Sequence, residues 1–320
     1  MGIVFCLTST LRRLSCFVHC HLSEAVLVCL RDIKNLGAAK VRGYGMGDRG
    51  SFSGCSFLWV TNCGAAEITA NSIASLQPHL RNGEHSLFVG TLDGDAEKVI
   101  ASHIDCSEIQ FFRLDQESAW RACNIDVPSD YKEFGTGDFR LICKAKYYAI
   151  TKTLRKTGKP VVFSDGDIVF LQNPAEFFES SQAIDSSKIL AQNDRYVGDC
   201  NGEIGVQYSP GRRPKRSQVC AGFTGWQPTA AHLKIAEYIG RHVSADTCDQ
   251  TVFNKLPFWK RRHIQLLPQD RFPNGSFVFG DSEDGQPDID LQDMYMVHAN
   301  WMLGVETKIS ALKGSGYWYI

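Results

Sequence analysis

Two carboxylates one residue apart, Asp165 and Asp167, sit in the stretch KPVVFSDGDIVFLQNP at residues 159–174. Placed just past a short apolar run, such a pair can converge on one hard cation if the chain turns there. Gly166 between them has no Cβ to block a ligand's close approach. Val161, Val162 and Phe163 have the unbroken apolar character of a buried strand, and Ile168, Val169 and Phe170 resume it. Asn173-Pro174 then ends the second run, because Pro restricts its predecessor and donates no ladder hydrogen bond. The chemistry to expect is a metal–diphosphate site at a strand end. Taken alone, the stretch fits equally a polar β-turn, since Asp and Gly favour turns whatever their task.

His298 offers a second class of ligand. An imidazole added to carboxylates suits manganese or a similar divalent ion better than calcium. Six residues on, Gly304 would let backbone amides approach an anion, and Lys308 could neutralise a phosphate. Alone, a His beside the apolar Met296-Val297 is more often a satisfied core histidine. Asn62 and Asp93 follow predicted strands, where nucleotides tend to bind in parallel sheets. Each by itself also fits a solvated loop.

The elements that must position these groups alternate. Strands are expected at 57–60, 87–91 and 109–114, with helices at 65–76 and 95–102 between them. A helix over 138–156 shows Leu141, Ile142, Ala145, Tyr148 and Ala149 on one face. Lys152, Arg155 and Lys156 suit its carboxyl end, and Gly158 can take the left-handed cap. Beyond Pro174 come a helix at 175–180, a strand at 188–191 and a small-residue strand or turn at 219–226. A helix at 229–241, the segment 246–255 with Asp249-Gln250, and a strand at 264–267 follow. Repeated strand–helix units argue for a parallel sheet with covered faces.

Composition bounds the rest. With 320 residues, 43% of them hydrophobic, the chain can bury a full core. A formal charge of -1 argues against a nucleic-acid binder. The basic run of Arg212, Arg213, Lys215 and Arg216 around Pro214 reads as a solvated or anion-touching loop. Twelve cysteines form no CxxC pair, which disfavours zinc ribbons. Cys29, Cys63, Cys143 and Cys220 read as small buried hydrophobes, and disulfides depend on the compartment. A helix at 23–35 and a glycine-rich linker at 43–54 have no assigned chemistry. Residues 14–30 are broken by His19, His21 and Glu24 and do not reach the ~18 apolar residues a membrane span needs. Met1-Gly2 lacks the Ser or Thr that a myristoylation signal places at Cys6.

In combination these motifs resemble the nucleotide-diphospho-sugar transferases that include plant rhamnogalacturonan xylosyltransferases and extensin arabinosyltransferases. The resemblance runs from Lys146 through VVFSDGDIVFLQNP, CAGFTGWQPT, DQTVFN and FPNG to VHANWMLGVETK, in order, and covers about residues 57–313. It implies an α/β chain of GT-A type, a Rossmann-like mixed, mainly parallel sheet with helices on both faces. The glycosyltransferase domain would span 55–313, after an N-terminal segment 1–54 and before an aromatic tail 314–320. The resemblance implies that Asp165, Asp167 and His298 hold Mn²⁺ or Mg²⁺, with Asp165 also able to touch the ribose. Gly304 and Lys308 would contact the diphosphate, with Lys146 on the cofactor side and Asn62 and Asp93 at the nucleoside. Asp249 and Gln250 would lie near the anomeric carbon or the acceptor.

The implied reaction is hexosyl or pentosyl transfer from a UDP-sugar to a hydroxyl of a glycan or glycoprotein, with retention of configuration, in the Golgi lumen by resemblance or in the cytoplasm if the N-terminus is complete and unanchored. Cys220 departs from the Asn or Ser common before the Ala-Gly pair, and a thiol is a poorer partner for a sugar hydroxyl. Two rivals stand beside this reading. FSDGDIV also fits a haloacid-dehalogenase-type phosphotransferase with Asp165 as nucleophile, echoed by Gly280, Asp281 and Asp284. A non-catalytic nucleotide- or sugar-binding protein could keep the same fold.

Overall fold

The strand–helix alternation closes into a mixed sheet with its polar strand ends gathered at one edge. The computed structural model describes residues 50–81, 83–117, 129–132, 136–194, 218–244, 246–279 and 291–320. Apart from 115–117 these belong to one unit, residues 44–114 and 127–320. The expected helix at 23–35, most of the glycine-rich linker, Cys29, the basic loop around Pro214 and the acidic Gly280-to-Asp284 stretch lie outside the described residues.

Seven strands pair in the order β3-β2-β1-β4-β7-β6-β8. Their ranges are β1 (Ser56–Thr61), β2 (Ser86–Thr91), β3 (Ile109–Arg113), β4 (Val161–Ser164), β6 (Ile189–Asn193), β7 (Val219–Trp226) and β8 (Ile264–Leu266). All run parallel except β7, which lies antiparallel between β4 and β6. Every residue of β4 and β7 is buried, as the unbroken apolar and small-residue runs require. The second apolar run is a separate short strand, β5 (Ile168–Phe170), which pairs antiparallel with β9 (Met296–His298). Ile168 stands opposite His298 in that ladder, so the pairing itself brings the distant His to the Asp-Gly-Asp turn.

Nine helices among the described residues flank the sheets. They are α1 (Ala66–Leu76), α2 (Asp95–His103), α3 (Gly137–Thr157), α4 (Pro174–Ser180), α5 (Ala230–His242), α6 (Asp249–Asn254), α7 (Phe258–Arg261), α8 (Gly275–Val278) and α9 (Val305–Gly314). Thr136 caps α3 by accepting from the Phe139 amide, and Gly158 ends it in the left-handed conformation at φ 63°. Asn173 accepts from the Ala175 amide and Pro174 takes the first helical position, so Asn173-Pro174 starts α4 as well as ending β5.

The core is aromatic. Phe57, Trp59, Phe170, Phe178, Phe223 and Phe272 are all essentially inaccessible to solvent. Phe223 stacks on Phe272 with centroids 5.8 Å apart, and Phe170 meets Trp59 edge-on at 6.4 Å. Helix α1 ties this core to the turn: Ser72 Oγ accepts from Trp59 Nε1 at 3.0 Å, and Ser75 Oγ accepts from the Phe170 amide at 2.9 Å. The aromatic tail docks on the same helix, where the Asn71 side chain bonds the backbone of Tyr317 and Tyr319. Cys143 and Cys220 are buried as expected, whereas Cys63 is only half-buried, because it opens a short turn after β1. The described cysteines Cys55, Cys63, Cys106, Cys143, Cys220 and Cys248 are all free thiols. No described helix is long and apolar enough to cross a membrane.

Candidate metal and diphosphate centre

The Asp-Gly-Asp turn is clamped on three sides. The Asp165 amide donates to Gly222 O on β7 at 2.7 Å, and Asp167 O accepts from the Ala299 amide, just past β9, at 2.9 Å. Gly166 lies flat against α1, where an added Cβ would stand 2.3 Å from Thr69 Oγ1. Thr69 is itself fixed, since its hydroxyl meets Thr61 Oγ1 at 3.0 Å and Ala65 O at 2.8 Å. Backbone and packing, more than the side chains' own pairing, set the direction of the two carboxylates.

Asp165, Asp167 and His298 each present a ligand atom, and these atoms lie within 4.8 Å of one another. Gln192 sets the imidazole. Its Nε2 donates to Pro273 O at 2.7 Å, which leaves Oε1 as acceptor, 2.6 Å from His298 Nδ1. The Nδ1 proton therefore points at Gln192, and Nε2 faces the carboxylates, 3.2 Å from Asp167 Oδ1. Without a second proton, two acceptor atoms meet there, an arrangement that a divalent cation resolves. Gly222 completes the cradle: a Cβ on it would come within 2.5 Å of the His298 ring and 2.7 Å of Asp165 Oδ2. One imidazole nitrogen and two carboxylates are a donor set that fits a divalent cation.

Two lysines flank the carboxylates. Lys308 Nζ bonds Asp167 Oδ2 at 2.6 Å. Lys146, buried on α3, lies 3.1 Å from Asp165 Oδ1 and 3.0 Å from Asp249 Oδ2, and donates to Ala221 O. Burial works against the charge on each lysine, but the facing carboxylates overcome it and hold both protonated well above the ordinary lysine range. Burial likewise opposes ionisation of Asp167, yet Lys308 and His298 outweigh it and keep the carboxyl below the usual carboxylate range. Asp165 is the more open of the two, with 37% of its side chain exposed. Desolvation and the Asp167 charge push it up against the pull of Lys146. Three carboxylates against two lysines leave room for added positive charge.

The predicted site residues divide into two groups. Asp165, Asp167, His298, Lys146, Lys308, Asp249 and Gln250 come together. Gly304, at φ 82°, precedes α9 and sets the helix that carries Lys308. Asn62 and Asp93 have structural tasks and are not drawn into the cluster. Asp93 accepts from the Cys63, Asp95 and Ala96 amides, so it caps α2. Asn62 Nδ2 donates to Asp130 O at 2.8 Å and so holds residues 129–132 over the end of β1. There burial pushes the Tyr131 phenol up, and the charges of Lys308 and Asp167 act on it.

Tyr131 and Thr69 carried no sequence signal, and Gly222 and Asn300 lay inside the CAGFTGWQPT and VHANWMLGVETK elements without being singled out. Gln192 and Asp194 do follow a predicted strand, and a polar strand end was the one available hint. Asp194 is buried, accepts from Gln250 Nε2 at 2.8 Å, and its backbone O accepts from Asn274 Nδ2 at 2.7 Å. Asn300 Nδ2 reaches Asp194 Oδ1 at 3.5 Å and Cys220 Sγ at 3.7 Å. The FPNG element thus buttresses the VHAN element, with Gly275 packed where a Cβ would strike Asn300 O.

With this geometry in place, likeness to known proteins is specific. Residues 85–312 match the family model described as nucleotide-diphospho-sugar transferase, and the chain belongs to that family. It is similar to the beta-arabinofuranosyltransferase RAY1 of Arabidopsis thaliana, 23% identical over 212 residues. That match takes in 58% of this chain and 35% of RAY1, so the chain spans about a third of that relative's length. The fold is that of the apo bifunctional glycosyltransferase WbbM, with a TM-score of 0.51 and 12% identity over 84% of this chain and 50% of WbbM. The galactosyltransferase LgtC, solved with donor and acceptor sugar analogues, superposes over 82% of this chain and 94% of its own, at a TM-score of 0.46 and 12% identity. The molecule is therefore a GT-A type glycosyltransferase-like protein with an acidic and histidine cluster able to coordinate a divalent metal.

Proposed function

We propose that the protein is a metal-dependent glycosyltransferase that moves a pentosyl or hexosyl group from a UDP-sugar to a hydroxyl acceptor, with retention of configuration. The observation that carries this reading is the His298 tautomer fixed by Gln192, with Nε2 aimed between Asp165 and Asp167. Family membership favours it over the phosphotransferase reading of FSDGDIV, in which Asp165 would be a nucleophile.

Asp165, Asp167 and His298 hold the divalent ion, which, when bound, supplies Lewis-acid stabilisation of charge on the diphosphate. Lys308 is the counter-charge: it pairs with Asp167 at 2.6 Å, and beside a bound diphosphate its charge would stabilise the negative charge that develops as the sugar departs. Gly304 keeps the backbone before α9 bare so that amides approach the same phosphate. Lys146 orients the partly open Asp165 and the buried Asp249 from one nitrogen. Gln250 and Asp194 present a polar wall beside the metal cluster to the transferred sugar. No protein base is assigned, because the departing phosphate can itself take the acceptor proton in a retaining reaction. Asp249, buried and paired with Lys146, acts by position.

Titration calorimetry with UDP, with and without Mn²⁺, tests this reading. Binding that requires the metal and disappears in Asp167→Ala is expected. Metal-independent binding, or binding unaltered in Asp167→Ala, would overturn it.

A further inference from the structure

Between the metal ligand His298 and the phosphate-side Lys308, the chain makes a loop whose conformation the proposed donor site does not require. Trp301 stands at φ 67°, alone among described non-glycine residues in the left-handed region. For a large side chain that conformation is costly and persists only where the surroundings impose it. The surroundings are visible. On one side Asn300 is pinned, its Oδ1 taking the Gly275 amide and its Nδ2 reaching Asp194 and Cys220. On the other, Met302 packs inward against the cluster of Ile68, Val169, Ala299, Ile309 and Leu312. With both neighbours anchored, the kink turns the indole outward.

The result is an exposed apolar surface that begins three residues after His298. Trp301 is 60% exposed and Leu303 is 68% exposed, on either side of the buried-facing Met302. The anchored neighbours hold the backbone, but the indole itself gains nothing from burial there, since the hydrophobic effect alone would draw it inside. The buried groups within, Asp167, Lys308 and His298, are suited to a charged diphosphate. The indole is suited to something uncharged that arrives from solvent beside them. A sugar ring has that chemistry: its C–H face lies against an aromatic surface, while its hydroxyl rim stays free for polar partners.

We infer that Trp301, with Leu303, is the platform on which the acceptor's sugar ring stacks, which makes the acceptor a carbohydrate. The inference rests on the transferase reading and is separable from it. It assigns Trp301 to acceptor binding alone, so the donor's affinity is independent of the indole.

The test uses the full chain loaded with UDP and Mn²⁺. Saturation-transfer NMR is recorded with methyl β-D-xylopyranoside, methyl α-L-arabinofuranoside and methyl β-D-galactopyranoside as probes. Saturation of ring C–H protons of at least one glycoside is expected in the wild type and in Trp301→Phe. In Trp301→Gly the affinity should fall roughly three- to tenfold, the worth of one aromatic contact. UDP–Mn²⁺ binding should stay unchanged in both variants. Trp301→Gly should also match or exceed the wild-type Tm, since glycine relieves the left-handed backbone; a structural tryptophan would lower it. Equal glycoside signals in wild type and Trp301→Gly, no glycoside signal at all, or a loss of UDP affinity in Trp301→Gly would each overturn the inference while leaving the transferase reading intact. Failure of the wild type to bind UDP would overturn both.

Discussion

The chain contains Asp-Gly-Asp twice, each time at the carboxyl end of a parallel strand. After β2 it is Asp93-Gly94-Asp95, and after β4 it is Asp165-Gly166-Asp167. In the first, Asp93 spends its oxygens on three backbone amides, and Asp95 pairs with Lys98 in the open. A helix follows at once, and the tripeptide is its cap. In the second, no helix follows. The chain enters β5 instead, which pairs with β9 and brings His298 in, while α3 and α9 each deliver a lysine. The same three residues therefore do two jobs, and what distinguishes them is brought in from elsewhere in the chain: Lys146 from the preceding helix, and His298 and Lys308 from more than a hundred residues on. A turn motif acquires chemistry from what the tertiary fold sets around it.

Removing one carboxylate should break the comparison most sharply. Asp167→Ala is expected to abolish metal-dependent UDP binding, while Asp95→Ala should leave it untouched; calorimetry reads both. Next in size is the orientation of the imidazole. Gln192→Leu frees His298 to take the other tautomer and should weaken Mn²⁺ binding roughly 10–100-fold, read by competition with a metal indicator. Nothing equivalent supports the first tripeptide.

The two glycines offer a smaller contrast. Gly166→Ala forces a Cβ to 2.3 Å from the fixed Thr69 hydroxyl and should cost ~1–3 kcal/mol of stability. Gly94→Ala meets only the far end of Arg113, at 2.8 Å from Nη1, and should cost less than ~0.5 kcal/mol. Denaturant titration of the two variants measures the difference.

Acidity gives the finest distinction. Both Asp95 and Asp167 are held below the ordinary carboxylate value, Asp95 first by its hydrogen bond to Lys98 and Asp167, against burial, by Lys308 and His298. A lowered carboxylate contributes stability above its unfolded value and loses it only as pH falls through the folded one. Carboxyl carbon shifts followed from pH 5 down to about pH 2 should find both depressed at low ionic strength. At about 1 M salt the exposed Asp95 should return to the ordinary value while the enclosed Asp167 stays low.

Much of the frame could be read from residue order. Strands β1, β2, β3, β4 and β8 and helices α1, α2, α3 and α5 fall where apolar periodicity and the cap at Gly158 put them. The metal cluster was legible as a set because Asp165, Asp167 and His298 are unusual in type as well as position. What the chain's order hides is long-range. No local pattern announces that β7 runs against its neighbours, or that Gln192 will reach His298 across 106 positions. Thr69 and Tyr131 are equally silent, since each acts through shape or proximity rather than through a distinctive chemistry. Asn62 and Asp93 show the converse: polar strand ends look alike whether they face a ligand or a backbone amide.

One buttress of the site has a consequence for biogenesis. Asn274-Gly275-Ser276 has the acceptor pattern for N-linked glycosylation. In the folded protein Asn274 is completely enclosed, its amide nitrogen bound to Asp194 O and its oxygen capping α8. A glycosylating enzyme could reach that nitrogen only on a chain not yet folded. Once modified there, the chain could no longer close the wall around Asp194. In a secretory compartment the sequon would set folding and modification in a race, and only molecules that folded first would carry an intact centre.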